Sequence, residues 1–356
     1  MTARRFLLPA AVACLLGGLP ARAADLAPLP PPPAPADNPA SAAKVALGKM
    51  LFFDRRLSGD GTMSCATCHD PESGYGDRLA VSLSYPTTKN WRNAPTLINV
   101  AYRTPLFWDG RAGSLEEQAL FPVASAFEMN QNIDFLEEEL KEVPEYVEAF
   151  RAAFGGEITR ERIAMALAAF QRTILSADTP LDRFLRGDRA ALTSLQEEGR
   201  ALFVGKAGCV RCHGGPLLSD GKFHNLGVPE DPSMSADPRV AATRRFVAKV
   251  SGYAGYRELS GDPGRFLVTG EPGDWKAFLT PPLRNVAVTG PYMHNGAFRT
   301  LSEVIEFYDR GGGDDPKKDG FLSPLGLSAG EKEALRAFLA EALSGTVTPV
   351  KPPRIP

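Results

Sequence analysis

Cys65-Ala66-Thr67-Cys68-His69 and Cys209-Val210-Arg211-Cys212-His213 are two copies of one pentad, Cys-x-x-Cys-His. The spacing lets two thiols add to the vinyl groups of one haem while the adjoining imidazole ligates its iron. A structural zinc site would want four protein ligands, and no cysteine follows Cys212. Two pentads therefore predict two haem c groups, attached through Cys65 and Cys68 and through Cys209 and Cys212, with His69 and His213 as proximal iron ligands. The fold expected is all-α, two cytochrome c-type haem domains with long loops and little strand.

Upstream, Arg4 and Arg5, the apolar run Phe6 to Leu19 and Ala21-Arg22-Ala23 read as a cleaved signal peptide over 1–23. The run is too short for a bilayer span, and no later stretch approaches one. The expected location is the periplasm, where haem is also attached to such pentads. Cys14 falls in the signal and the pentads use the other four cysteines, so no disulfide is expected. A weaker reading takes Ala11-Val12-Ala13-Cys14 as a lipoprotein site, without the usual leading Leu. The formal charge of −2 becomes more negative once Arg4, Arg5 and Arg22 are removed, which argues against a nucleic-acid partner.

Residues 24–40, with Pro30-Pro31-Pro32-Pro33, read as a stiff extended leader or linker rather than a packed element. The folded part begins near Ser41. Gly48-Lys49-Met50-Leu51-Phe52-Phe53 before the first pentad is echoed by Gly199-Arg200-Ala201-Leu202-Phe203-Val204 before the second. Each reads as a short helix whose Leu-Phe end packs on its own haem. The echo divides the chain into an N-terminal domain over 41–178, a C-terminal domain over 179–345 and a tail over 346–356. Thr159 to Ser176 carries Ile163, Leu167, Phe170 and Ile174 at helical spacing. Capping boxes at Ser114–Glu117, Thr300–Glu303 and Ser328–Glu331 open further helices, and Gly311-Gly312-Gly313 stops the second of these. Gly227 to Pro282 reads mainly as long loops without an assigned task.

Beyond the pentads, Arg92-Asn93-Ala94-Pro95-Thr96, Phe107-Trp108-Asp109-Gly110-Arg111 and Leu283-Arg284-Asn285-Val286 through Pro291-Tyr292-Met293-His294-Asn295-Gly296 stand in a fixed order. From about Ala40 to Leu343 the chain resembles the bacterial di-haem cytochrome c peroxidase/MauG family. The resemblance implies two helical cytochrome domains, a calcium ion between them and a tryptophan, here Trp108, bridging the haems. One haem would meet peroxide and the other relay electrons. Asn93, Thr289 and Pro291 match the family's calcium positions, and their oxygens suit that ion. Gln118, Glu128 and Pro122 match its distal glutamine, glutamate and pocket-lining proline. Burial beside Phe121, Val123 and Phe127 would have to raise the Glu128 pKa for it to serve as an acid near neutrality.

Only four histidines occur. Many relatives cap the peroxidatic haem with a loop histidine, whereas Val81 to Arg92 holds none, so the first haem should keep an open distal face. Tyr85 or Lys89 could cap it, but both read better as plain loop residues. For the second haem, chemistry alone favours Met293, since thioether is the usual partner of histidine in electron-transfer haems. The family pattern points instead to Tyr308, where peroxidases often have Met and MauG has Tyr. Leu301, Val304, Ile305 and Tyr308 share a helix face. His224 and His294 read as structural hydrogen-bonding residues.

Three functions remain open. The first is a periplasmic peroxidase reducing hydrogen peroxide with electrons from a small cytochrome c or cupredoxin. The second is a MauG-like enzyme oxidising aromatic residues of a protein substrate. The third is a non-catalytic electron carrier, with both haems six-coordinate.

Overall fold

The computed structural model describes residues 26–86, 88–347 and 350–356, so the stretch 1–23 expected to be a signal peptide, and Cys14 with it, lies outside the described residues. Most ordered segments are helical. The strands are two-residue ladders: Ser176–Ala177 antiparallel to Thr346–Val347, and Phe223–His224 antiparallel to Phe278–Leu279.

The apolar residues collect into two clusters. The first runs from Leu47 to Ile174 and includes Leu51, Phe52, Tyr146, Phe150, Leu167 and Phe170. The second runs from Leu181 to Leu343 around Phe203, Leu335 and Phe338. Each is built on one close helix crossing: Ala42–Phe53 lies on Arg160–Gln171, and Ser194–Val204 lies on Ala329–Ala337. Glycine permits both approaches. A Cβ on Gly48 would sit 1.8 Å from Ala166 O, and one on Gly199 would sit 2.0 Å from Ala334 O. The echoed hexamers thus mark the crossings, and their aromatic ends, Phe52 and Phe203, line the two large cavities.

A second repeat went unread in the sequence. Leu97-Ile98-Asn99-Val100-Ala101 corresponds to Leu283-Arg284-Asn285-Val286-Ala287. Asn99 and Asn285 each take φ 59° and each lead into a single 3₁₀ turn, Val100–Tyr102 and Val286–Val288. Isolated bridges Leu106–Ala112 and Tyr292–Phe298 follow, and then the helices Leu115–Ala124 and Leu301–Asp309. Equivalent residues are 186 positions apart (301 − 115) throughout this stretch.

Several local expectations need correction. The Arg160–Gln171 helix stops before Ile174, which is nevertheless buried. Ser114 caps its helix, but Glu117 accepts from Gly113 N rather than from Ser114 N, so only half of that box forms. The boxes at Thr300 and Ser328 are complete. Residues 227–282 are not mainly loop: Pro238–Val250 is a full helix, capped by Asp237 with Pro238 in its first turn. Its buried face includes Thr243 and Arg244, which hid the apolar period.

The leader is extended, but it is packed. Leu26 bridges Gly215, Ala27 O accepts from Arg284, and Pro30 O accepts from Tyr102. Asn38 is buried between Glu116, Met165 O and Lys44. The tail is packed as well, through the Thr346–Val347 ladder and Pro356 O, which accepts from Arg56. Polar backbone in a proline-rich strand must find donors once it lies on a protein surface, and these side chains supply them.

Candidate active site

Each pentad sits at the edge of a cavity. The first cavity is lined by Cys65, Cys68, His69, Trp108, Gln118, Pro122 and Glu128 among others. The second, larger at about 370 Å³, is lined by Cys209, Cys212, His213, Met293, His294 and Tyr308 among others. That volume exceeds what one water needs by more than tenfold, so the space is a cradle for a large group. The four pentad cysteines are free thiols. Burial pushes Cys65, Cys68 and Cys209 up to about 12, which keeps them neutral, and as thioethers they would carry no charge either.

The two pentad histidines are oriented alike. His69 Nδ1 lies 3.1 Å from Tyr75 O, and His213 Nδ1 lies 2.9 Å from Leu218 O. A carbonyl can only accept, so Nδ1 carries the proton and Nε2 keeps its lone pair for a metal. Burial lowers both imidazole pKa values and holds the neutral, ligating form. Tyr75 and Leu218 both take φ 57°, another equivalence of the two halves.

The donor set fits haem c, and two further observations test that fit. Arg103 lines both cavities and bonds Thr96 O, yet it has no carboxylate partner among the described residues. Burial lowers its pKa to about 10. A cation so placed calls for an anion, which haem propionates supply. Gln171 Oε1, buried at the first cavity, likewise has no partner there. Neither residue was singled out in the sequence, because a turn arginine and a helix-end glutamine resemble ordinary polar surface.

The halves differ where ligation would differ. Pro122 and Tyr308 are each the eighth residue of equivalent helices. Pro122 offers no donor atom to its cavity. Tyr308 faces Cys209, Cys212 and His213 with a hydroxyl that has no hydrogen-bond partner among the described residues. Its pKa is raised by burial and by the nearby Cys209 and Cys212, so its ionisation needs a cation beside it. Met293 lines the same cavity, in a left-handed turn at φ 71°. Lys89 is tied to Asp237 at 2.9 Å, and neither it nor Tyr85 lines the first cavity.

On the first cavity's wall, Glu128 has its carboxyl raised above the ordinary range by burial, opposed in part by the charge of Arg111. Gln118 is half-buried on the same wall. Trp108 lines both cavities, and its Nε1 donates to Asn93 O at 2.9 Å. Its equivalent in the second half is His294, buried and stacked on Phe278 with ring centroids 3.6 Å apart. Burial lowers the His294 pKa to about 3 despite Asp262. His224 bridges Asp220 and Asp319, and the neighbouring Cys212 thiol, ahead of these two carboxylates, raises its pKa to about 10. Asn93, Thr289 and Pro291 all line the second cavity. Asn93 Nδ2 donates to Leu79 O, while its Oδ1 accepts from no described residue.

Residues 42–190 match the di-haem cytochrome c peroxidase family. The chain is 47% identical over 353 residues to cytochrome-c peroxidase IdrP1 of Denitromonas iodatirespirans, covering 96% of this chain and 94% of that one. It is 38% identical over 330 residues to the methylamine utilization protein MauG of Methylorubrum extorquens, covering 91% and 84%. A solved MauG-like protein associated with microbial copper homeostasis superposes with a TM-score of 0.76 at 33% identity, covering 89% of this chain and 93% of that one. With the pentads, the oriented histidines and the paired cradles in place, the chain belongs to the di-haem cytochrome c peroxidase family, oxidoreductases that act on peroxide.

Proposed function

We propose that the chain is a periplasmic peroxidase that reduces hydrogen peroxide to water at the first cavity, with electrons relayed through the second from a small cytochrome c or cupredoxin. The observation that carries this reading is the contrast between Pro122 and Tyr308 at equivalent helix positions. Pro122 offers no ligating atom to a group held at the first cavity, whereas Tyr308 would offer a phenol oxygen to one held at the second. Haem c, held by Cys65, Cys68 and His69 and by Cys209, Cys212 and His213, would supply the redox-active iron that peroxide reduction needs. Glu128 takes the proton from the inner peroxide oxygen and returns it to the departing one. Gln118, on the same wall, orients the substrate by hydrogen bonding. Arg103 neutralises the carboxylates of the cofactor, and Trp108, shared by both cavity walls, is the stepping stone between them. Asn93 Oδ1 with backbone oxygens of Thr289 and Pro291 would hold the calcium ion between the halves.

A second reading, oxidation of aromatic residues on a partner protein as in MauG, is favoured by one feature. Tyr308 is a hard anionic donor when ionised and would stabilise oxidised iron over ferrous iron. Purified ferric holoprotein should show one high-spin and one low-spin haem, and it should turn over peroxide with reduced cytochrome c. Two low-spin haems inert to peroxide would remove both enzyme readings and leave an electron carrier.

A further inference from the structure

We propose that Trp91 is a second oxidisable site at the first cavity, built to hold a one-electron hole against the carboxylate of Asp262. This rests on the peroxidase reading of the same cavity. Trp91 is 9% exposed and lines the first cavity together with Cys65, Cys68 and Glu128. Its ring packs on Phe127 at 5.5 Å, and its Nε1 donates to Asp262 Oδ2 at 2.9 Å. Asp262 is buried, and it lines the other cavity. The Trp91–Asp262 pair therefore touches both haem cradles by a route that omits Trp108.

The three tryptophans differ in what their N–H groups meet. Trp108 donates to a neutral carbonyl, Asn93 O. Trp275 packs with Tyr253 and Phe266 beyond the second cavity and makes no N–H bond to a described residue. Trp91 alone donates to an anion. An indole that loses an electron becomes a cation, and a fixed carboxylate at hydrogen-bond distance favours that charge. The Arg92 guanidinium lies 5.5 Å from the Trp91 ring centroid and works against it. Arg92 is itself held by two carboxylates: Asp262 through Nε and Nη2 at 2.6 and 2.9 Å, and Asp109 through Nη1 at 2.5 Å. Asp109 also pairs with Arg111 at 3.0 Å, so the two carboxylates and two guanidiniums balance. What favours a cation on Trp91 is that its N–H meets the Asp262 carboxylate directly, and Asp262 is locked in place by Arg92 and by Gly264 N. This also gives a task to the segment 227–282, which delivers Asp262 to an indole of the first half.

Reducing one peroxide to two waters takes two electrons and two protons. In this scheme the cofactor provides one electron and the Trp91 ring the other, the indole keeping its N–H. Electrons from the external donor then restore both. An oxidising equivalent parked on Trp91 lets peroxide be consumed before a second donor arrives.

The test is freeze-quench electron paramagnetic resonance on ferric holoprotein mixed with hydrogen peroxide, using protein with ring-deuterated tryptophan. An organic radical whose hyperfine pattern narrows on deuteration is expected. Trp91→Phe should lower it at least tenfold, whereas Trp108→Phe should not. Asp262→Asn keeps the side-chain shape and an N–H acceptor but removes the charge, and it should shorten the radical's lifetime at least tenfold. Peroxide consumed with no tryptophan radical, or a radical undiminished in Trp91→Phe, overturns this inference alone. Peroxide left unconsumed by the wild-type protein overturns the peroxidase reading and this inference with it.

Discussion

A phenol and a pyrrolidine ring differ most in what they offer a metal, and positions 308 and 122 turn on that difference. Replacing Tyr308 by Met should raise the reduction potential of the second haem by roughly a tenth of a volt or more, since axial ligands move haem potentials over about 0.8 V. Potentiometry checks this, and an unchanged potential would show that the phenol is not a ligand. Glu128→Gln should slow peroxide turnover by roughly 10²–10⁴-fold. Because burial raises this carboxyl, its proton-accepting form fills only above the ordinary carboxylate range. The rate with peroxide should therefore rise with pH through that raised value, and the rise should vanish in Glu128→Gln. The pentads and the haem c family they mark were legible in the sequence, because that motif is set by local spacing. Arg103 and the Trp91–Asp262 pair were not, because each acquires its meaning from groups far away in sequence.

Helix crossings carry the next level of specification. Gly48→Ala and Gly199→Ala each force a methyl into a backbone carbonyl of the facing helix, and overpacking of this kind costs about 1–3 kcal/mol. Thermal unfolding of the two holoproteins should show a lowered midpoint in both. A midpoint unchanged in either variant would mean that the helices separate freely at that crossing. The hexamer echo pointed to these helices, but it did not say why glycine begins each one. The longer repeat, Asn99 with Asn285 and Pro122 with Tyr308, was present in plain letters and was obscured by substitutions such as Trp108 for His294. The helix Pro238–Val250 escaped for a different reason: it buries Arg244 and Thr243, so its inner face looks polar.

Across the whole molecule, buried charge pairs fix how distant segments meet: Arg92–Asp262 joins the halves, and Arg284–Asp182, within the second, holds the leader. Arg284 grips Asp182 through both oxygens at 2.7 and 2.8 Å and also holds Ala27 O. Arg284→Ala strands a buried carboxylate and should cost about 3–5 kcal/mol, measured by denaturant unfolding. Arg284 holds the Asp182 pKa below the usual carboxylate value against the opposing effect of burial. The contribution is therefore complete at neutral pH and fades as acid carries the protein down through that lowered value. Arg284→Ala should accordingly lose less stability at low pH than at pH 7. The leader and the tail take opposite sides: Leu26 joins the second cluster, while Val347 and Val350 join the first. The leader reaches the first half too, through Pro30 O and Asn38, so it spans both, whereas the tail returns to the half farther from it in sequence. Cutting the gene between residues 178 and 179 would thus yield two pieces, each lacking a strip of itself that the other carries. Swapping one half for that of a relative would have to carry the opposite terminus with it.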